Sequence, residues 1–141
     1  MYFFISSPNV EQAPAARLIE ALWSAGHEVD HSPRGPQDPR WAGWYAAGCR
    51  QAIERADTFI IVLDRAWDSS TWMGIEAETG LARTGGDPRR FVFWNPLGLR
   101  VTAAGAVPYL RSELPTDLAE AVARLTHESS DTRAIREDKR R

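Results

Sequence analysis

Apolar residues recur in short blocks separated by polar or proline- and glycine-bearing stretches, and the spacing inside the blocks alternates between two periods. Tyr2 to Ser6 is a short aromatic and aliphatic run closed by Ser6-Ser7-Pro8, which predicts a buried first strand. A helix follows over about Ala13 to Ala25. Leu18, Leu22 and Ala25 share one face with Ile19 and Trp23 beside them, Pro14 suits the first turn and Gly26 stops the helix. His27 to Ser32 predicts a weaker second strand. Pro33 to Pro39 holds three prolines in seven positions and predicts a loop. A second helix is expected over about Arg40 to Ala56, with Trp41, Trp44, Tyr45, Gly48, Ala52 and Ile53 at helical spacings. Thr58 to Leu63 contains Phe-Ile-Ile-Val-Leu, the clearest buried parallel strand, and Asp64 marks its carboxyl end.

The pattern continues with a third helix over about Thr71 to Thr84, stopped by Gly85-Gly86, and a fourth strand from Arg90 to Trp94. Asn95 to Ala106 predicts a loop and Val107 to Leu110 a short edge strand. Pro115 to His127 predicts a last helix, with Leu118, Ala121, Val122 and Leu125 on one face. Strands alternating with helices imply a parallel sheet with right-handed crossovers. The expected fold is therefore α/β: a single flavodoxin-like three-layer domain with a five-stranded, mostly parallel sheet in the order 2-1-3-4-5. It spans residues 1–127, and a charged tail over 128–141 is expected to fray. In that order the chain reverses direction between strands one and three, so a ligand is expected outside their carboxyl ends. The residues there are Ser6-Ser7-Pro8-Asn9 and the stretch from Asp64 to Glu76.

Composition narrows the class. The chain has 141 residues, enough for one domain with a real core, and 43% hydrophobic with 26% charged residues is ordinary globular usage. Seventeen basic against nineteen acidic side chains leave a net charge of −2, which gives no support for nucleic-acid binding. A single cysteine, Cys49, excludes an intrachain disulfide and a cysteine metal cluster. The N-terminal run has no basic flank and is too short for a signal peptide, and no segment approaches the ~20 apolar residues of a membrane span. A cytoplasmic protein with no membrane partner is expected.

Several chemistries fail on the residues. There is no G-x-x-x-x-G-K-[ST], the one lysine is Lys139, and no G-x-G-x-x-G follows the first strand. His27, His31 and His127 are scattered, so no metal site is expected. A receiver-type phosphoacceptor would need acidic residues after the first strand and a lysine after the fourth. This chain has Ser6-Ser7 and no lysine there.

Ser70-Thr71-Trp72-Met73-Gly74-Ile75-Glu76 has the spacing S-x-W-x-x-x-E. It follows an Ile/Val-rich strand and opens a helix, and Phe3-Phe4-Ile5-Ser6-Ser7 opens the chain. In that order these pieces resemble the TIR (Toll/interleukin-1 receptor) domain over about residues 2 to 125, with Met73 where cysteine is common. Many TIR domains cleave the nicotinamide–ribose bond of NAD+, and the resemblance implies that Glu76 is catalytic. NAD+ would be a substrate, with no resident cofactor, and the product would be linear or cyclised ADP-ribose with an immune or signalling role. Ser6, Ser7, Asn9, Asp64, Asp68, Ser70 and Trp72 would contact the nucleotide. A second family, the nucleoside 2-deoxyribosyltransferases, is resembled through Asp68-Ser69-Ser70-Thr71. Gly74 stands where its glutamate is expected, and Glu78-Thr79-Gly80 comes four residues late. On an ideal helix that displaces the carboxylate by about 40° and ~6 Å. Glu78 is also about 200° from Glu76 round the helix and is expected to be exposed.

Each of these residues has a structural alternative. Glu76 could simply favour a helix N-terminus, Ser70 could cap that helix, and Trp72 could be core. Ser6, Ser7 and Asn9 could form a turn, and Asp64 could be a capping or network residue. The resemblance also implies a different class of function, self-association or TIR–TIR assembly. The loop after the second strand would carry it, with Arg34, Gly35 and Pro36 at its tip.

Overall fold

The structure, a computed structural model, describes residues 1–32, 45–65, 71–100 and 112–127, with the backbone alone for 45–48 and 71–73. The elements are β1 (Tyr2–Ser6), α1 (Ala15–Ser24), β2 (Glu28–His31), α2 (Tyr45–Arg55), β3 (Thr58–Val62), α3 (Thr71–Thr84) and β4 (Phe91–Trp94). A further helix, α4, covers residues 118–127. The strands form one parallel sheet in the order β2-β1-β3-β4. This is an α/β protein, and its sheet has four strands among the described residues where five were expected. The expected fifth strand, Val107 to Leu110, lies outside the described residues. Among the described residues, β4 is flanked on the side away from β3 by a parallel bridge from Phe93 to Glu113, in which Phe93 N–H donates to the Ser112 carbonyl and Leu114 N–H to that of Phe93.

Strand alternation divides the core into two layers. Phe3 and Ile5 of β1, Ile60 and Val62 of β3, and Val92 and Trp94 of β4 face Leu18 and Leu22 of α1 and Ala121 and Leu125 of α4. Phe4, Phe59, Ile61 and Phe91 face the other way, against Ala52 and Ile53 of α2 and Ala77 of α3. β3 is buried along its whole length, as its unbroken apolar run requires. β2 is an edge strand with no fully buried residue, which is why its four residues carry three polar side chains.

Pro14 stands just before α1 rather than within its first turn, and Gly26 closes the helix at φ 87°, a conformation costly for any residue with a Cβ. On the second face the rings of Phe4, Phe59 and Phe91 stack across three strands, with centroids 5.6 and 5.4 Å apart. Gly80 of α3 rests on the middle ring. A Cβ there would come within 2.5 Å of Phe59 Cγ. The helix is thus seated at a depth that only glycine allows.

The amino end of the sheet is closed by polar contacts. Tyr2 N–H donates to the Asp57 carboxylate at 3.0 Å, Asp57 N–H returns a bond to the Tyr2 carbonyl, and the Tyr2 hydroxyl reaches Asp30 at 3.3 Å. Burial, then the Asp30 charge, pushes the Tyr2 phenol up to about 12. Because the folded state holds this proton more tightly, the associated stabilisation is full below pH 10 and fades as pH rises through about 12.

Two outcomes are expected. Gly80→Ala should destabilise the fold by about 1–3 kcal/mol, read from the urea midpoint, because neither the ring nor the helix can move freely away. In an ultraviolet titration, Tyr2→Phe should remove a phenolate transition near pH 12. An unchanged high-pH step would show that Tyr2 is not its source.

Candidate functional site

Parallel register decides which side chains meet at the carboxyl end of the sheet. Phe4 pairs with Asp30 and Ile5 with His31, so one step further Ser6 stands beside Ser32, just past β2. The Ser32 N–H donates to the Ile5 carbonyl and continues the ladder. Alternation puts Ser6 on the same face as Phe4, the face covered by α2 and α3. Glu76, one turn before Gly80 on α3, comes down onto this pair.

Glu76 keeps 1% of its surface exposed. A carboxylate so placed needs donors, because leaving it unpaired would cost several kcal/mol. Ser32 Oγ lies 2.7 Å from Oε1 and 3.0 Å from Oε2, and Ser6 Oγ lies 3.4 Å from Oε2. Ser32 Oγ in turn accepts the Ser7 N–H at 3.0 Å. Ser7 Oγ accepts the Asn9 N–H at 3.4 Å, and the Asn9 amide donates to the Asp64 carboxylate at 3.1 Å. This last bond ties the loop after β1 to the end of β3. His31 Nδ1 lies 2.7 Å from the Ser32 carbonyl, which can only accept, so Nδ1 carries the proton.

Ser6, Ser7, Asn9, Asp64 and Glu76 are therefore gathered at the carboxyl ends of β1 and β3. Asp68 and Ser70 lie outside the described residues, as do Arg34, Gly35 and Pro36 and the side chain of Trp72 in the first turn of α3. Glu78 is exposed. Ser32 was not among the candidates. Its signal was available only through register, as a serine ending a strand that pairs beside Ser6-Ser7.

A groove of about 550 Å³ runs between α2 and α3 and reaches Glu76. Cys49, Arg50 and Ile53 line one wall and Ile75, Thr79 and Arg83 the other. Arg50 pairs with Glu54 on the surface at 3.0 Å, and Arg83 Nε donates to the Glu54 carbonyl. Among the described residues no group of three or more His, Cys, Asp or Glu side chains is placed to hold a metal ion. No helix among them is long and apolar enough to cross a membrane.

Fold and site together define an α/β protein with a buried carboxylate, held by hydroxyls, at the carboxyl end of a parallel sheet. A scan against models of known protein families and a search of curated proteins returned no match.

Removing the carboxylate strands two buried hydroxyls. Glu76→Ala is expected to lose about 1–3 kcal/mol of unfolding free energy, and Glu76→Gln, which keeps an acceptor for Ser32, distinctly less. Urea denaturation of the two variants checks the order. Equal losses would show that the carboxamide cannot replace the acceptor.

Proposed function

We propose that this chain cleaves the nicotinamide–ribose bond of NAD+, as TIR-type N-glycosidases do, with Glu76 as the acting carboxylate. One observation carries the proposal. The acid picked out by the S-x-W-x-x-x-E spacing is buried against Ser6 at the carboxyl end of β1, and Ser32 holds it there. A surface acid that only favoured a helix terminus would have no need of that enclosure.

The chemistry suits a lone carboxylate. Nicotinamide departs from a cationic pyridinium as a neutral molecule, so the leaving group needs little acid assistance. Ribose C1′ becomes oxocarbenium-like, and a fixed negative charge near it lowers the barrier. Water then adds to C1′ and yields ADP-ribose; attack by the adenine of the same molecule would yield the cyclised product. Asn9 and Asp64, joined by their hydrogen bond, would accept and donate to ribose hydroxyls. Asp68, Ser70 and Trp72 complete the proposed contacts from the segment that enters α3.

The proposal includes a flavodoxin-like sheet in the order 2-1-3-4-5, with the fifth strand at Val107 to Leu110. It also includes a cytoplasmic location, a nucleotide ligand rather than nucleic acid, and self-association through Arg34-Gly35-Pro36. A nucleoside 2-deoxyribosyltransferase would depend on Glu78, and the exposure of that side chain on α3 weighs against it.

Purified protein, at concentrations that permit assembly, is expected to release nicotinamide from NAD+. Chromatography should show the rate fall by at least about 100-fold in Glu76→Gln. Base exchange among deoxynucleosides, with no nicotinamide release, would favour the deoxyribosyltransferase instead.

A further inference from the structure

A carboxylate that stabilises a developing cation must do two things that conflict. It must stay ionised while buried, and it must keep its charge for the substrate. Donation from a neutral hydroxyl secures both, because it steadies the ionised form without neutralising it.

From this geometry we infer that Ser32, at the carboxyl end of β2, is the positioning residue for Glu76. Its hydroxyl, set by the backbone N–H of Ser7, fixes the ionised carboxylate against the end of β1. The inference rests on the proposal that Glu76 is the acting acid.

Proton bookkeeping gives the hydroxyl its direction. Ser32 Oγ has one proton and three acceptors in range: Glu76 Oε1 at 2.7 Å, Glu76 Oε2 at 3.0 Å and the Ile5 carbonyl at 3.5 Å. The Ser7 N–H occupies one of its lone pairs from the other side. The proton therefore goes to the nearest acceptor, Glu76 Oε1. Donation from Ser7 polarises the hydroxyl and strengthens its bond to Glu76, as in any chain of hydrogen bonds in a low dielectric. Ser6, at 3.4 Å, is the weaker donor.

The anchor itself is held on both sides. Ser32 N–H is tied to Ile5, and the Ser32 carbonyl accepts from the His31 ring at 2.7 Å. Ser32 is 1% exposed, so water cannot readily replace its hydroxyl. One small side chain thereby links β1, β2 and α3 at the atom where charge matters.

Among the described residues, the other charged or titratable groups on the elements packed around Glu76 are Cys49, Arg50 and Glu54 of α2, Glu78 and Arg83 of α3, Asp64 after β3, and Asp30 and His31 of β2. Substitution at Ser32 leaves all of them in place, so a change in the behaviour of Glu76 reports the hydroxyl.

The test uses the full chain labelled with ¹³C at glutamate carboxyls, as wild type and as Ser32→Ala, Ser32→Cys, Ser32→Thr and Glu76→Gln. The Glu76 resonance is identified by its absence in Glu76→Gln. Its titration midpoint should rise by about one pH unit, a tenfold change in ionisation constant, in Ser32→Ala. Ser32→Cys, a near-isosteric weak donor, should give a smaller rise in the same direction and carries the test if Ser32→Ala does not fold. Ser32→Thr should restore the wild-type midpoint. An unchanged midpoint in whichever of the alanine and cysteine variants folds would overturn the inference, whether or not NAD+ is turned over. In nicotinamide release, Ser32→Ala should lower kcat about tenfold with KM within about twofold, and threonine should rescue kcat. A fall confined to KM would also overturn it. Equal release by wild type and Glu76→Gln would instead refute the proposed function, while the titration still decides the role of Ser32.

Discussion

An ionisable acid placed inside a protein has to find hydrogen-bond donors or give up its charge. Here the acid is Glu76, and its donors include Ser6 of β1 and Ser32 just past β2. The requirement reaches well beyond the side chain. β1 must lie between β2 and β3 so that Ser6 and Ser32 fall side by side. α3 must run close over the sheet so that its second turn can reach them. Asn9 must bridge to Asp64 to hold the loop after β1 against β3. Each arrangement has its own local cause, and together they leave the carboxylate one place to go.

The two ends of the sheet divide their tasks. At the amino end, Tyr2, Asp57 and Arg90 close on backbone carbonyls and on one another, and the contacts serve the fold. At the carboxyl end the polar groups are hydroxyls, an amide and carboxylates. It is outside the carboxyl ends of the strands that open α/β sheets bind their ligands.

Much of this was legible in the residues, and the exceptions have physical reasons. The unbroken Phe-Ile-Ile-Val run could only be a buried strand, and Gly85-Gly86 marks the end of α3 because glycine stops a helix cleanly. Glu76 stood out because Ser70-Thr71-Trp72 and Glu76 together resemble a known family's motif. Ser32 did not, because its role depends on pairing between residues 26 apart in the chain, which no local pattern records. The sheet beyond β4 was read from the apolar run Val107 to Leu110. Val107 to Leu110 lies outside the described residues, and the pairing seen beside β4 is made by Ser112, Glu113 and Leu114, a short stretch with no strand periodicity of its own. The boundaries of α1 were one or two residues generous at each end, since helical spacing continues into residues that only cap.

The seat of α3 on the Phe4–Phe59–Phe91 stack has a consequence for how such a site could change over time. Gly80 contributes no functional group, yet one methyl there would have to lift the helix off Phe59. Glu76 lies one turn away on the same helix, so its reach to the serines depends on that seat. The reach of the carboxylate is therefore heritable through a residue that chemistry alone would overlook.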